Sequence, residues 1–117
     1  MVVDDDSAVR FVLAEILEAG GFRTVEASNG QAALDRCQEP DTPLLAIGDL
    51  AMPTMDGYGF MAEIQARQPR MPVIAVSGEL SLGTQAWVRQ LGTDGCIAKP
   101  FAPDEVISAA RRVLDAR

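Results

Sequence analysis

The 117-residue chain contains no histidine. That absence removes the usual general base, a common zinc ligand and any histidine phosphoacceptor within the chain. Its two cysteines, Cys37 and Cys96, match no metal-binding spacing and are too few for a disulfide scaffold. Both are expected to be reduced, buried thiols. No apolar run approaches the length of a bilayer span, and Met1 to Asp6 lacks the basic start and apolar stretch of a signal peptide, so the expected compartment is the cytoplasm. Positive charge is scarce: 10 Lys and Arg face 17 Asp and Glu, a formal net charge of −7. This balance argues against direct binding to nucleic acid or to an anionic membrane. Lysine is scarcer still, because every basic residue is arginine except Lys99 in "CIAKPF". The bias suggests that an ammonium, rather than a guanidinium, is wanted at that position.

What is present suits a compact α/β protein. Hydrophobic residues make up 48% of the chain, ample for one core, and 117 residues leave no room for a second of ordinary size. One domain over residues 1–117 is expected. Val9, Val12, Leu13, Ile16 and Leu17 recur at helical spacing before Gly20-Gly21, which closes the segment. "FRTVEA" alternates like a strand, and "NGQAALDRC" opens a helix at a capping-type Asn29, with Ala33, Leu34 and Cys37 on one side. "PLLAIGD" reads as a buried strand, "YGFMAEIQAR" as a helix with Phe60, Met61 and Ile64 inward, and "MPVIAVSG" as another buried strand. "TQAWVRQLG" predicts a helix ending at Gly92, "GCIAKP" a short strand, and Pro103 starts a last helix with Val106, Ile107, Ala110, Val113 and Leu114 as its stripe. Five strands thus alternate with five helices, and continuous apolar strands imply a parallel sheet covered on both faces.

In an open parallel sheet, ligands bind in the crevice beyond the carboxyl ends of the strands. The first strand ends in Asp4-Asp5-Asp6, the third in Asp49, the fourth in Ser77-Gly78-Glu79 and the fifth in Lys99-Pro100. Neighbouring carboxylates resist ionising together unless a cation relieves them. Magnesium suits such a rim, since it takes one or two carboxylates, phosphate oxygens and waters. Lys99 and Ser77 would supply a positive charge and a hydroxyl to the oxygens of a phosphoryl group. Asp49, an isolated carboxylate facing the crevice, fits best as a nucleophile that forms an acyl phosphate.

The stretches "VVDDD", "GDLAMPTMDG", "VSGE" and "AKPF" resemble, in order and over essentially the whole chain, the motifs of response-regulator receiver domains of two-component signalling. The resemblance implies a flavodoxin-like (βα)5 fold with strand order 2-1-3-4-5. It implies that Asp49 is the phosphoacceptor and that Asp4 and Asp5 are the acidic pair holding Mg2+ or Mn2+, with Asp49 and the Ala51 backbone carbonyl as further metal contacts. By the same likeness Ser77 follows the phosphoryl group, Lys99 contacts it, and the Lys99-Pro100 peptide is cis. The implied partners are a histidine kinase or a histidine phosphotransfer protein, and a downstream protein reached by direct contact. Receivers modify themselves without turning over a substrate, so no enzyme activity is expected.

Some positions depart from that pattern or have a plainer reading. Cys96 stands where receivers usually carry an aromatic, which puts the hydroxyl-to-aromatic coupling in doubt. Gly48, inside a strand, calls for a close backbone approach. Only Met1 to Val3 precede the aspartates, short for a central strand. Asp6 is expected to cap a helix, and Asp56 to form a turn with Gly57. Glu79 is either a rim group controlling water access or a simple loop acid. Trp87 and Leu91 read first as core, although an exposed Trp87 would mark a partner face together with Cys96. Two rival functions fit parts of the chain. One is a phosphorylation-independent interaction module; the other is a Mg2+-dependent phosphohydrolase using Asp4 and Asp6, for which no segment is long enough to form a cap. A flavodoxin-type flavin protein is disfavoured, because carboxylates would repel the flavin phosphate.

Overall fold

The computed structural model describes the chain apart from residues 39, 41, 50–56, 70, 79–85, 87–89 and 117 and the side chains at 57 and 58. Five strands, β1 (Val2–Val3), β2 (Glu26–Ala27), β3 (Ala46–Gly48), β4 (Val73–Ser77) and β5 (Gly95–Ala98), form one parallel sheet in the order β2-β1-β3-β4-β5. The described helices are α1 (Ser7–Ala19), α2 (Gly30–Arg36), α3 (Gly57–Arg67) and α4 (Pro103–Asp115). The helix predicted over "TQAWVRQLG" falls mostly outside the described residues; Leu91, near its end, is buried.

Side chains alternate across the pleat, so each of the three central strands feeds two cores. Val3, Ala46, Val73 and Ala75 join Ala33, Leu34, Phe60, Met61 and Ile64 of α2 and α3 on one face. Val2, Ile47, Ile74 and Val76 join Leu13, Leu17, Val106, Ala110 and Val113 of α1 and α4 on the other. Both faces of the central strands are therefore covered, as their unbroken apolar runs require.

The helix boundaries follow side-chain chemistry. The Asp6 carboxylate accepts from the amides of Ala8 at 2.9 Å and Val9 at 3.4 Å, and the side-chain carbonyl oxygen of Asn29 accepts from the Ala32 amide at 2.8 Å. Pro103 opens α4, where its missing N–H costs nothing, and Glu105 reaches back to the Ala102 amide at 3.2 Å. Gly21, at φ 94, carries the chain out of α1 in the left-handed region.

Three expectations need correction. Cys96 is exposed, not buried, because on β5 it is the neighbouring Ile97 that packs into the core. Val12 is 46% exposed; the inward face of α1 is carried by Leu13, Ala14 and Leu17, with Val9 and Ile16 partly buried. The strand expected over "FRTVEA" shrinks to Glu26–Ala27, and the segment's first amide, that of Phe22, is spent on the Leu17 carbonyl at the end of α1. The short β1 is held at its start by the Met1 ammonium, which donates to the Leu45 carbonyl at 2.7 Å; burial lowers its pKa to about 6.

Candidate functional site

Parallel pairing brings the ends of β1 and β3 side by side, with Val3 opposite Gly48. The Asp49 amide donates to the Val3 carbonyl at 3.1 Å, so Asp4 and Asp49, the next residues of each strand, emerge as neighbours at the rim. Gly48 permits this approach, because a β-carbon there would fall 1.8 Å from the Val3 carbonyl oxygen. The glycine signal in the sequence thus has its cause: a closer contact than any side chain allows.

Lys99 enters from the end of β5. Its amide donates to the Ser77 carbonyl at 2.8 Å, continuing the register that pairs Ser77 with Ala98. The ammonium then stands 3.6 Å from Asp4 Oδ2 and 3.6 Å from Asp49 Oδ2. The Lys99-Pro100 peptide is cis, as the resemblance implied. Thus Asp4, Asp49 and Lys99 converge through direct ion pairs, and Ser77 lies beside Lys99 through its backbone.

Asp4 is the buried member of the set, at 1% exposure. Its Oδ1 accepts from the Asp6 amide at 2.9 Å, whereas its Oδ2, without a hydrogen-bond donor among the described residues, lies 3.6 Å from the Lys99 ammonium. Burial raises its pKa, opposed by the Asp6 amide and Lys99 and reinforced by the Asp49 and Asp5 carboxyls. A buried carboxylate oxygen without a donor is a costly acceptor. It fits a cation, and hard oxygen donors at 4, 5 and 49 are the kind Mg2+ takes. Among the described residues no three acidic or thiol side chains are grouped so that they could hold a metal ion by themselves. Mg2+ needs no such cage, since waters and substrate oxygens complete its shell.

The remaining predicted residues divide. Asp5 is exposed beside this corner, and Asp6 is spent on the α1 cap, not turned to the rim. Ala51, Asp56, Glu79 and Trp87 lie outside the described residues. One contact escaped the sequence reading altogether: Arg10 on α1 donates to the Asp4 carbonyl at 2.7 Å and pairs with Glu26 on β2 at 3.4 Å. The only signal available was an arginine four residues beyond a capping aspartate.

Comparison with known proteins agrees with this fold. Residues 1–111 match the family model of the response regulator receiver domain. The chain is 33% identical over 113 residues to the DNA-binding transcriptional regulator NtrC of Escherichia coli K12, covering 97% of this chain but 24% of that protein. It is 32% identical to a probable transcriptional regulator, ycf27, of Porphyridium aerugineum, covering 97% of this chain and 47% of the relative. The chain therefore spans about a quarter to a half of the length of these relatives. Among solved structures, the receiver domain of NtrX from Brucella abortus superposes with a TM-score of 0.90 at 30% identity, covering 99% of this chain and 98% of that one. A CheY-like receiver from Methanospirillum hungatei gives 0.86 at 28% identity, covering 98% and 91%. The chain belongs to the response regulator receiver domain family.

Proposed function

We propose that the chain is the phosphoacceptor switch of a two-component relay, with Asp49 as the residue modified. The observation that carries this reading is the single ammonium of Lys99 set 3.6 Å from both Asp49 Oδ2 and Asp4 Oδ2 at the carboxyl rim of a parallel sheet. An Asp49 carboxylate oxygen attacks the phosphorus of a phosphohistidine on a histidine kinase or phosphotransfer protein. The P–N bond breaks, its electron pair stays on the imidazole nitrogen, and a P–O bond forms the acyl phosphate. Lys99 is close enough to Asp49 to follow the charge onto the phosphoryl oxygens, and Ser77, next to it in the ladder, offers a hydroxyl. Asp4 and Asp5, with Asp49 and the Ala51 carbonyl, would hold Mg2+, which when bound neutralises charge on the phosphoryl oxygens. The chain would turn over no substrate and would signal in the cytoplasm by contact with a protein partner.

The rival hydrolase fits less well. Asp4 is buried with one oxygen bound to the Asp6 amide, and Asp6 caps α1, so neither is presented as a nucleophile. The phosphorylation-independent module draws support from one feature, the exposed Cys96 on β5 where an aromatic would report the switch. Borohydride reduction after phosphorylation separates the readings, because it converts an aspartyl phosphate to homoserine. Peptide mapping should find homoserine at position 49; its absence there in a phosphorylated sample would defeat the assignment.

A further inference from the structure

Asp4 and Asp5 share one peptide unit, and the orientation of that unit decides where the Asp5 carboxylate points relative to Asp4. Its carbonyl is the Asp4 oxygen. β2 and β3 flank β1 on opposite sides. The Asp4 amide donates to the Ala27 carbonyl on β2 at 3.1 Å, and Arg10 Nη1 donates to the Asp4 carbonyl at 2.7 Å. Arg10 is itself fixed twice over: its backbone amide donates to the Asp6 carbonyl at 3.0 Å, and its Nε lies 3.4 Å from Glu26 Oε1. Its side chain is 19% exposed, against 46% for Glu26, so the guanidinium is the sheltered member of the pair. A forked, planar donor is what this junction needs, since one face of the fork meets a carbonyl and another a carboxylate.

We propose that Arg10 is a positioning residue for the cation corner: it locks the Asp4-Asp5 peptide against β2 and α1, with Glu26 as its anchor, and so presets the two carboxylates for Mg2+. The inference rests on the reading of Asp4 and Asp5 as the metal pair. Its sign makes it distinctive. Arg10 brings a positive charge close to the acidic corner, and on Coulomb repulsion between like charges alone its removal should strengthen cation binding. Positioning predicts the reverse, because groups that orient metal ligands are worth roughly 10–100-fold in affinity.

The test is Mg2+ titration by calorimetry of the native chain, Arg10→Met and Arg10→Lys, at a temperature where melting curves show each fully folded. Arg10→Met should bind Mg2+ about tenfold more weakly, the low end of the range for such residues. Arg10→Lys, which keeps the charge and the stem but loses the fork, should fall between the two, and it carries the test should Arg10→Met fail to fold. Unchanged or tighter binding by a folded variant, even with a lowered melting temperature, would overturn the inference and leave Arg10 a purely structural tie. A native chain that binds no Mg2+ would instead overturn the metal-pair reading itself, and the inference with it.

Discussion

A β-carbon at Gly48 would lie 1.8 Å from the carbonyl oxygen of Val3, the residue opposite it across the β1–β3 ladder. That carbonyl also accepts the Asp49 amide, so the contact that excludes a side chain is the one that seats the candidate phosphoacceptor beside Asp4. Gly48→Ala should therefore push the strands apart where the site begins. The expected cost is at the upper end of roughly 1–3 kcal/mol, as for overpacking in a closed core. Urea unfolding measures the stability, and the rate of phosphoryl uptake should fall with it. A fully stable Gly48→Ala protein would show that the strands can relax without cost.

Asp4 should be a liability to the metal-free fold. Its pKa is raised by burial, above the unfolded value of 3.8. Below that value both states are protonated and no penalty arises; as pH rises through the raised folded value, the unfolded chain is favoured by ionising more readily, and stability is lost. Asp4→Asn removes this loss. In the absence of divalent metal it should be more stable by about 0.5–2 kcal/mol at pH 7, a common gain where a group is kept for function. The advantage should shrink toward pH 4. Paired denaturation curves at the two pH values check it, and equal stability at pH 7 would count against the burial argument.

Lys99 balances two carboxylates from one point. Removing it in Lys99→Ala should leave the fold intact and strengthen Mg2+ binding several-fold, since an ammonium competing at close range is worth on the order of 1 kcal/mol or more. The phosphorylated state should nonetheless lose its conformational response, because no cation remains at the end of β5 to follow the phosphoryl group. Metal titration reads the first effect and a comparison of spectra before and after phosphorylation the second. Native-like activation in Lys99→Ala would remove Lys99 from the switch.

The residues that could be placed from the sequence are those whose chemistry is local. Asp6, Asn29 and Pro103 announce helix starts because capping is settled within one turn. Phe60, Met61 and Ile64 all turned inward, since helical spacing alone fixes their common face. Asp4, Asp49, Ser77 and Lys99 were traceable to one rim because strand ends in a parallel sheet share a side. What escaped depends on partners remote in the chain. Cys96 is exposed because Ile97, its neighbour on β5, is the residue packed into the core with Val106 and Ala110 of α4, and that choice of face depends on packing. Val12 and Leu13 are adjacent apolar residues of α1, and only contact with the sheet and α4 decides which is buried. Arg10 and Glu26 meet across two elements, with no pattern in either segment to announce it.

The most direct measurement is intact mass after incubation with a small phosphodonor, with and without Mg2+, for the native chain and Asp49→Asn. The account predicts a gain of one phosphoryl group that requires Mg2+ and vanishes in Asp49→Asn. A folded, Mg2+-binding native chain that gains no mass, or a gain that survives in Asp49→Asn, would contradict it.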